Sequence, residues 1–116
     1  MIVCAIDDLI FSIKISTAAK QLGVDVYFER MRDRVLPTVR EKQPSLVIFD
    51  LNSSRLEPMA VIAAMKADPQ LSGVKILGYV SHADSDAIAA ARKAGIDQVL
   101  ARSAFTAQLG TILESA

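Results

Sequence analysis

Three aspartates stand where short apolar runs give out. Ile2-Val3-Cys4-Ala5-Ile6 ends in Asp7-Asp8, and Leu46-Val47-Ile48-Phe49 ends in Asp50, before the turn residues Asn52-Ser53-Ser54. An ionised carboxylate is costly to desolvate unless it is paired, so an aspartate at the end of a buried run is expected to face a cleft. Carboxylates gathered within a few ångströms repel one another, and a hard divalent cation with oxygen ligands relieves that repulsion. Cation binding is therefore the chemistry these residue types suit. Taken singly, each aspartate serves equally well as a helix N-cap or a turn residue.

The elements around the aspartates decide whether they can meet. A run as short as residues 46–49, bounded by Pro44-Ser45 and Asn52-Ser53, reads as a strand buried on both faces, the kind found in parallel sheets covered by helices. Residues 2–6 read the same way. In an open parallel sheet, ligands bind outside the carboxyl ends of the strands, which is where Asp7, Asp8 and Asp50 fall.

Between these strands, Phe11, Ile15, Ala18, Ala19 and Leu22 recur at helical spacing, and Gly23 is placed to end that helix. Val24, Val26 and Phe28 alternate like a half-buried edge strand. Val35, Leu36 and Val39 give a weak helical stripe. Pro37 suits only the first turn of that helix, and Pro44 stops it. Beyond Asp50 a loop runs to Glu57. Pro58 opens a helix over residues 58–67, which Asp68-Pro69 breaks. Residues 74–80 form a fourth strand. Asp84 or Ser85 caps a helix carrying Ala87, Ile88 and Ala91, and Gly95 ends it. Residues 98–101 form a short fifth strand, and Thr106 caps a last helix with Leu109, Ile112 and Leu113 inward. Five strands alternating with five helices imply an α/β fold with a parallel sheet and right-handed crossovers, and residues 1–116 read as one domain.

Composition narrows the function classes. Hydrophobic residues make up 52% and charged residues 22%, a globular balance rather than a disordered one. Thirteen basic and thirteen acidic side chains cancel, with no basic patch in the sequence, so no nucleic-acid partner is expected. Apolar stretches such as residues 59–65 are far shorter than a membrane span, so no membrane partner is expected either. Met1 leads straight into a strand-like run, with no signal peptide before it, and the single cysteine, Cys4, reads as inert core. A cytoplasmic protein is expected.

The residues together resemble a receiver domain of two-component signalling, along the whole chain. The resemblance rests on Ala5-Ile6-Asp7-Asp8, on Gln43-Pro44-Ser45-Leu46-Val47-Ile48-Phe49-Asp50, and on Ala94-Gly95-Ile96-Asp97. It implies a flavodoxin-like (βα)5 doubly wound sheet with strand order 2-1-3-4-5. It implies Asp50 as phosphoacceptor for a histidine kinase or another signalling protein. It implies a Mg²⁺ site formed by Asp8, Asp50 and the Asn52 carbonyl, with Asp7 acting through water. A homodimer is a further implied assembly, and the implied partner face is formed by the fourth helix, fifth strand and fifth helix, residues 87–93 and 99–105.

Departures from that family pattern lie at the other end of the pocket. Where the family has a Thr or Ser ending the fourth strand, this chain has Val80, followed by Ser81. Where it has a Lys, usually before Pro, this chain has Arg102-Ser103, and the aromatic position of the fifth strand is Val99. The expected switch is therefore altered, Mg²⁺ binding is expected to be weak because Arg102 competes for the same negative potential, and Arg102 is expected to partner Asp50.

Three functions from different classes follow. One is a phosphoacceptor receiver with output by protein contacts. The second is a pseudo-receiver that binds partners without phosphorylation, its acidic trio a relic that aids solubility. The third is an enzyme such as a phosphatase, which the sequence disfavours. Asp50-Leu51-Asn52 lacks a second aspartate to act as general acid, and no Gly-rich phosphate loop, Cys/His cluster or cobalamin-type Asp-x-His motif is present. His82 reads as a surface turn residue rather than a ligand.

Overall fold

The computed structural model describes residues 1–81 and 84–116, so His82 lies outside the described residues. Five strands form one parallel sheet in the order β2-β1-β3-β4-β5. They are β1 (Ile2–Ala5), β2 (Val26–Glu29), β3 (Leu46–Asp50), β4 (Lys75–Val80) and β5 (Gln98–Ala101). The α-helices are α1 (Leu9–Leu22), α2 (Arg32–Lys42), α3 (Pro58–Ala67), α4 (Ser85–Ala94), α5 (Arg102–Ala107) and α6 (Leu109–Ser115), with 3-10 turns at Ser54–Leu56 and Pro69–Leu71. This is the flavodoxin-like order that the resemblance to receiver domains implies.

The period of two along each central strand sorts the core into two halves. Val3 and Ala5, Val47 and Phe49, and Ile76 and Val80 face α2, α3 and α4, meeting Val39, Ile62, Met65 and Ala91. Ile2 and Cys4, Leu46 and Ile48, and Leu77 and Tyr79 face α1, α5 and α6, meeting Phe11, Ile15, Phe105 and Leu113. β1 and β3 are thus buried on both faces, and each large side chain so buried contributes about 1.5–3 kcal/mol. Cys4 is fully enclosed, and burial pushes its thiol pKa up.

Two helices depart from the sequence expectation. Pro37 lies at the sixth position of α2, beyond the first turn. An interior proline costs roughly 3 kcal/mol, and burial of Val35, Thr38 and Val39 offsets it. At the other end, Thr106 is not an N-cap. Helix α5 starts directly after β5, at Arg102, and Thr106 sits inside it with its Oγ1 donating to the Arg102 carbonyl at 2.9 Å. The helix breaks at Gln108 and resumes as α6, with Phe105, Leu109 and Leu113 buried. The anchor is Phe105, which packs 5.0 Å from the Tyr79 ring and draws the chain into helix earlier than the hydroxyl pattern suggests.

Two contacts fix how β4 and β5 sit in the sheet. Asp97 accepts from the Ile76 amide at 2.8 Å and from Lys66 Nζ at 3.0 Å, which sets β5 against β4 and α3. Gly78, in the middle of β4, leaves room for Leu51, since a Cβ there would come within 2.6 Å of the Leu51 side chain.

Candidate functional site

The register pairs Ala5 of β1 with Phe49 of β3, so the segments carrying Asp7-Asp8 and Asp50 leave the same edge of the sheet side by side. Asp8 ends as the N-cap of α1, where the Phe11 amide donates to its Oδ1 at 3.1 Å. Its Oδ2 accepts from Arg102 Nη2 at 2.7 Å. The Phe11 amide and then Arg102 hold the Asp8 carboxyl below its ordinary pKa. Arg102 therefore pairs with Asp8, not with the expected Asp50. The reason is positional: Arg102 begins α5 at the end of edge strand β5, and its guanidinium lies over the Phe11 ring, 4.5 Å from the centroid, beside the α1 N-cap.

Asp50 is half-buried at the end of β3, with the Asn52 amide donating to its Oδ1 at 2.9 Å. Burial pushes its pKa up; the Asn52 amide and Arg102 oppose this, and Asp7 and Asp8 add to it. Asp7 accepts from Ser53 Oγ at 3.2 Å. The Asn52 side chain binds Ser81 and Asp84.

Val80 is 1% exposed and packs into the core beneath α4, so it offers nothing polar to the pocket. Ser81 is exposed, with its amide and hydroxyl turned to Asn52. Val99 is half-buried against the same core half as Val80. Three participants escaped the sequence reading: Ser53, Asp84 and Tyr79. The first two lie far along the chain from the groups they bind, and no spacing signals them. Tyr79 could have been found from its place one residue before Val80, on the opposite face of β4. Its ring packs against both Phe11 and Phe105, and its buried hydroxyl has no hydrogen-bond partner among the described residues.

For a divalent cation the donors are suited in kind, being hard oxygens at one edge. Among the described residues, however, no three His, Cys, Asp or Glu side chains come close enough to hold a metal together. Asp8 has both oxygens engaged, and the Arg102 guanidinium already acts as the cation beside it. A metal at Asp8 would share the carboxylate with Arg102 and compete with it for the same negative potential.

No protein-family model and no curated protein sequence matches the chain. Solved structures do. A response regulator from Hahella chejuensis superposes with a TM-score of 0.86 at 15% identity, over 97% of this chain and 91% of that one. The fold is that of a receiver domain. A chemotaxis response regulator of Vibrio cholerae shares the receiver fold at a TM-score of 0.83 and 14% identity, over 98% and 95% of the two chains. The receiver domain of a Pseudomonas aeruginosa sensor histidine kinase, solved with magnesium in its active-site cleft, shares it at 0.84 and 18%, over 98% and 93%. Among the described residues no helix is long and apolar enough to cross a membrane.

Proposed function

We propose that the chain is a receiver module of two-component phosphorelay signalling, with Asp50 at the phosphoacceptor position and a switch altered at Val80, Ser81, Val99 and Arg102. The observation that carries this reading is the meeting, at one sheet edge, of Asp50 from β3, Asp7 and Asp8 from the end of β1, and Arg102 from the end of β5. Asp50 has one oxygen held by the Asn52 amide, which fixes the carboxylate. In the transfer step the other oxygen forms a bond to phosphorus as the bond between phosphorus and the kinase histidine breaks, and the imidazole leaves. A divalent cation held by Asp8, Asp50 and the Asn52 carbonyl, with Asp7 through water, would neutralise charge on the transferring group. The magnesium in the Pseudomonas receiver supports that assignment. Arg102 makes the binding weak here.

Output is by protein contact rather than by turnover, through residues 87–93 and 99–105, to a histidine kinase or another signalling protein, or to a second copy of the chain as a homodimer. A second reading, a pseudo-receiver that binds partners without phosphorylation, draws on the Asp8–Arg102 pair and on the buried, hydroxyl-free Val80.

Titration with Mg²⁺ and beryllofluoride, followed by amide NMR, separates the two readings. The phosphoacceptor reading expects shifts at Asp8, at residues 50–52 and at Arg102, and none in Asp50→Asn. An unchanged wild-type spectrum at millimolar Mg²⁺ and beryllofluoride overturns it in favour of the pseudo-receiver.

A further inference from the structure

We propose that Asn52 is a clamp that holds the start of α4 against the acidic pocket, whatever the state of Asp50. Its carboxamide is engaged at both ends. The Oδ1 accepts from the Ser81 amide at 2.7 Å and from the Ser81 hydroxyl at 3.0 Å. The Nδ2 donates to Asp84 Oδ2 at 3.3 Å. Asp84 is itself the N-cap of α4: its Oδ1 accepts from the Ala87 amide at 3.1 Å, and its carbonyl accepts from Ile88 at 3.0 Å. One side chain therefore ties the first residue after β4 and the first turn of α4 to the loop that follows Asp50. An asparagine can make this bridge because it carries a donor and an acceptor on one rigid plane.

The base of the clamp is fixed. The Leu51 amide donates to the Tyr79 carbonyl at 3.0 Å, and the Asn52 amide donates to Asp50 at 2.9 Å. Asp50 thus touches the backbone of residue 52, while the clamp uses its side chain. No clamp bond has Asp50 as a partner, so none is made or broken directly when its charge changes. Position 80 cannot override the clamp, because the Val80 side chain is apolar and enclosed in the core. The consequence, which rests on the receiver reading of α4 as part of the partner face, is that this face is presented in one arrangement all the time.

Amide hydrogen exchange on the free protein tests the clamp without any ligand. Asn52→Ala is expected to speed exchange at Ser81, Ala87 and Ile88 by about tenfold, with β1, β3 and α6 unchanged. Asn52→Asp keeps the acceptor but loses the donor and sets a like charge against Asp84. It is expected to leave Ser81 protected while Ala87 and Ile88 speed up. Unchanged exchange at Ala87 and Ile88 in both variants overturns the clamp, as does an equal rise throughout the sheet. With Mg²⁺ and beryllofluoride, α4 amides are expected to shift in Asn52→Ala and to stay still in the wild type. Equal α4 shifts in both overturn the clamp. A pocket that never responds at residues 50–52 counts against the phosphoacceptor reading alone, and the exchange data still judge the clamp.

Discussion

Replacing Arg102 by glutamine removes, among the described residues, the cation paired with the acidic edge. The Asp8–Arg102 contact is short, at 2.7 Å, but both side chains are about one-third exposed, at 33% and 37%, so solvent screening limits it to roughly 0.5–1 kcal/mol. The guanidinium over Phe11 adds about 0.5–1 kcal/mol. Arg102→Gln should therefore destabilise by about 1–2 kcal/mol, or roughly 4–8 °C in Tm for a chain of this size. The ion pair itself can be isolated by a double-mutant cycle with Asp8→Asn, because asparagine is as good an N-cap as aspartate and α1 keeps its first hydrogen bond. Urea melts at pH 7 and low salt should give a coupling of about 0.5–1 kcal/mol, shrinking in 1 M salt. The folded-state pKa of Asp8 is depressed, so this stabilisation is fully present above the ordinary carboxylate range and is lost as the pH falls through the lower, folded value. Arg102→Gln should also raise Mn²⁺ affinity by about tenfold or more, since a guanidinium beside a divalent ion repels it by over 1.4 kcal/mol at an effective dielectric of about 20. A coupling below about 0.2 kcal/mol, or one that persists after Asp8 is protonated, would refute the reasoning.

Asp50 has the opposite sign. Its pKa is raised, so the native state binds its proton more tightly than the unfolded chain does, and this group's contribution to stability falls as the pH rises through the folded value. Asp50→Asn should therefore raise Tm at pH 7 and lose that advantage in acid, as melts at pH 7 and pH 3 will tell. Tyr79→Phe removes a buried hydroxyl without a partner and should be neutral or stabilising by about 0–1 kcal/mol in urea melts; a loss above 1 kcal/mol would mean the hydroxyl has a partner. Gly78→Ala drives a Cβ to within 2.6–2.8 Å of three Leu51 carbons and should cost about 1–3 kcal/mol, measured the same way.

The fold was legible because its signals are local. The apolar runs of β1 and β3, the left-handed glycine at Gly95 and the proline opening α3 each report on their own neighbourhood. The Pro37 and Thr106 expectations failed where tertiary burial, of Val35 and Val39 in one case and Phe105 in the other, outweighed local preference. At the site, the three aspartates could be placed because strand ends and topology put them on one edge. Their partners could not. Which carboxylate receives Arg102 depends on how its guanidinium lies across Phe11, ninety-odd positions earlier in the chain, and no periodicity encodes that. The same holds for Asn52, whose backbone the family pattern places and whose side chain only the packed loops reveal.

Cys4 gives the chain an internal clock. It is the single thiol, it lies on a central strand with no exposed surface, and burial suppresses its thiolate. Its side chain lies under the layer of α1, α5 and α6, so opening of the loops around the acidic edge does not bring this sulfur to water. A thiol reagent in excess can then react only as fast as that helix layer lifts off the sheet. Labelling of Cys4 thus times opening of this core half without any introduced probe, and it separates substitutions that loosen the pocket loops from those that weaken the packing of helices on the sheet.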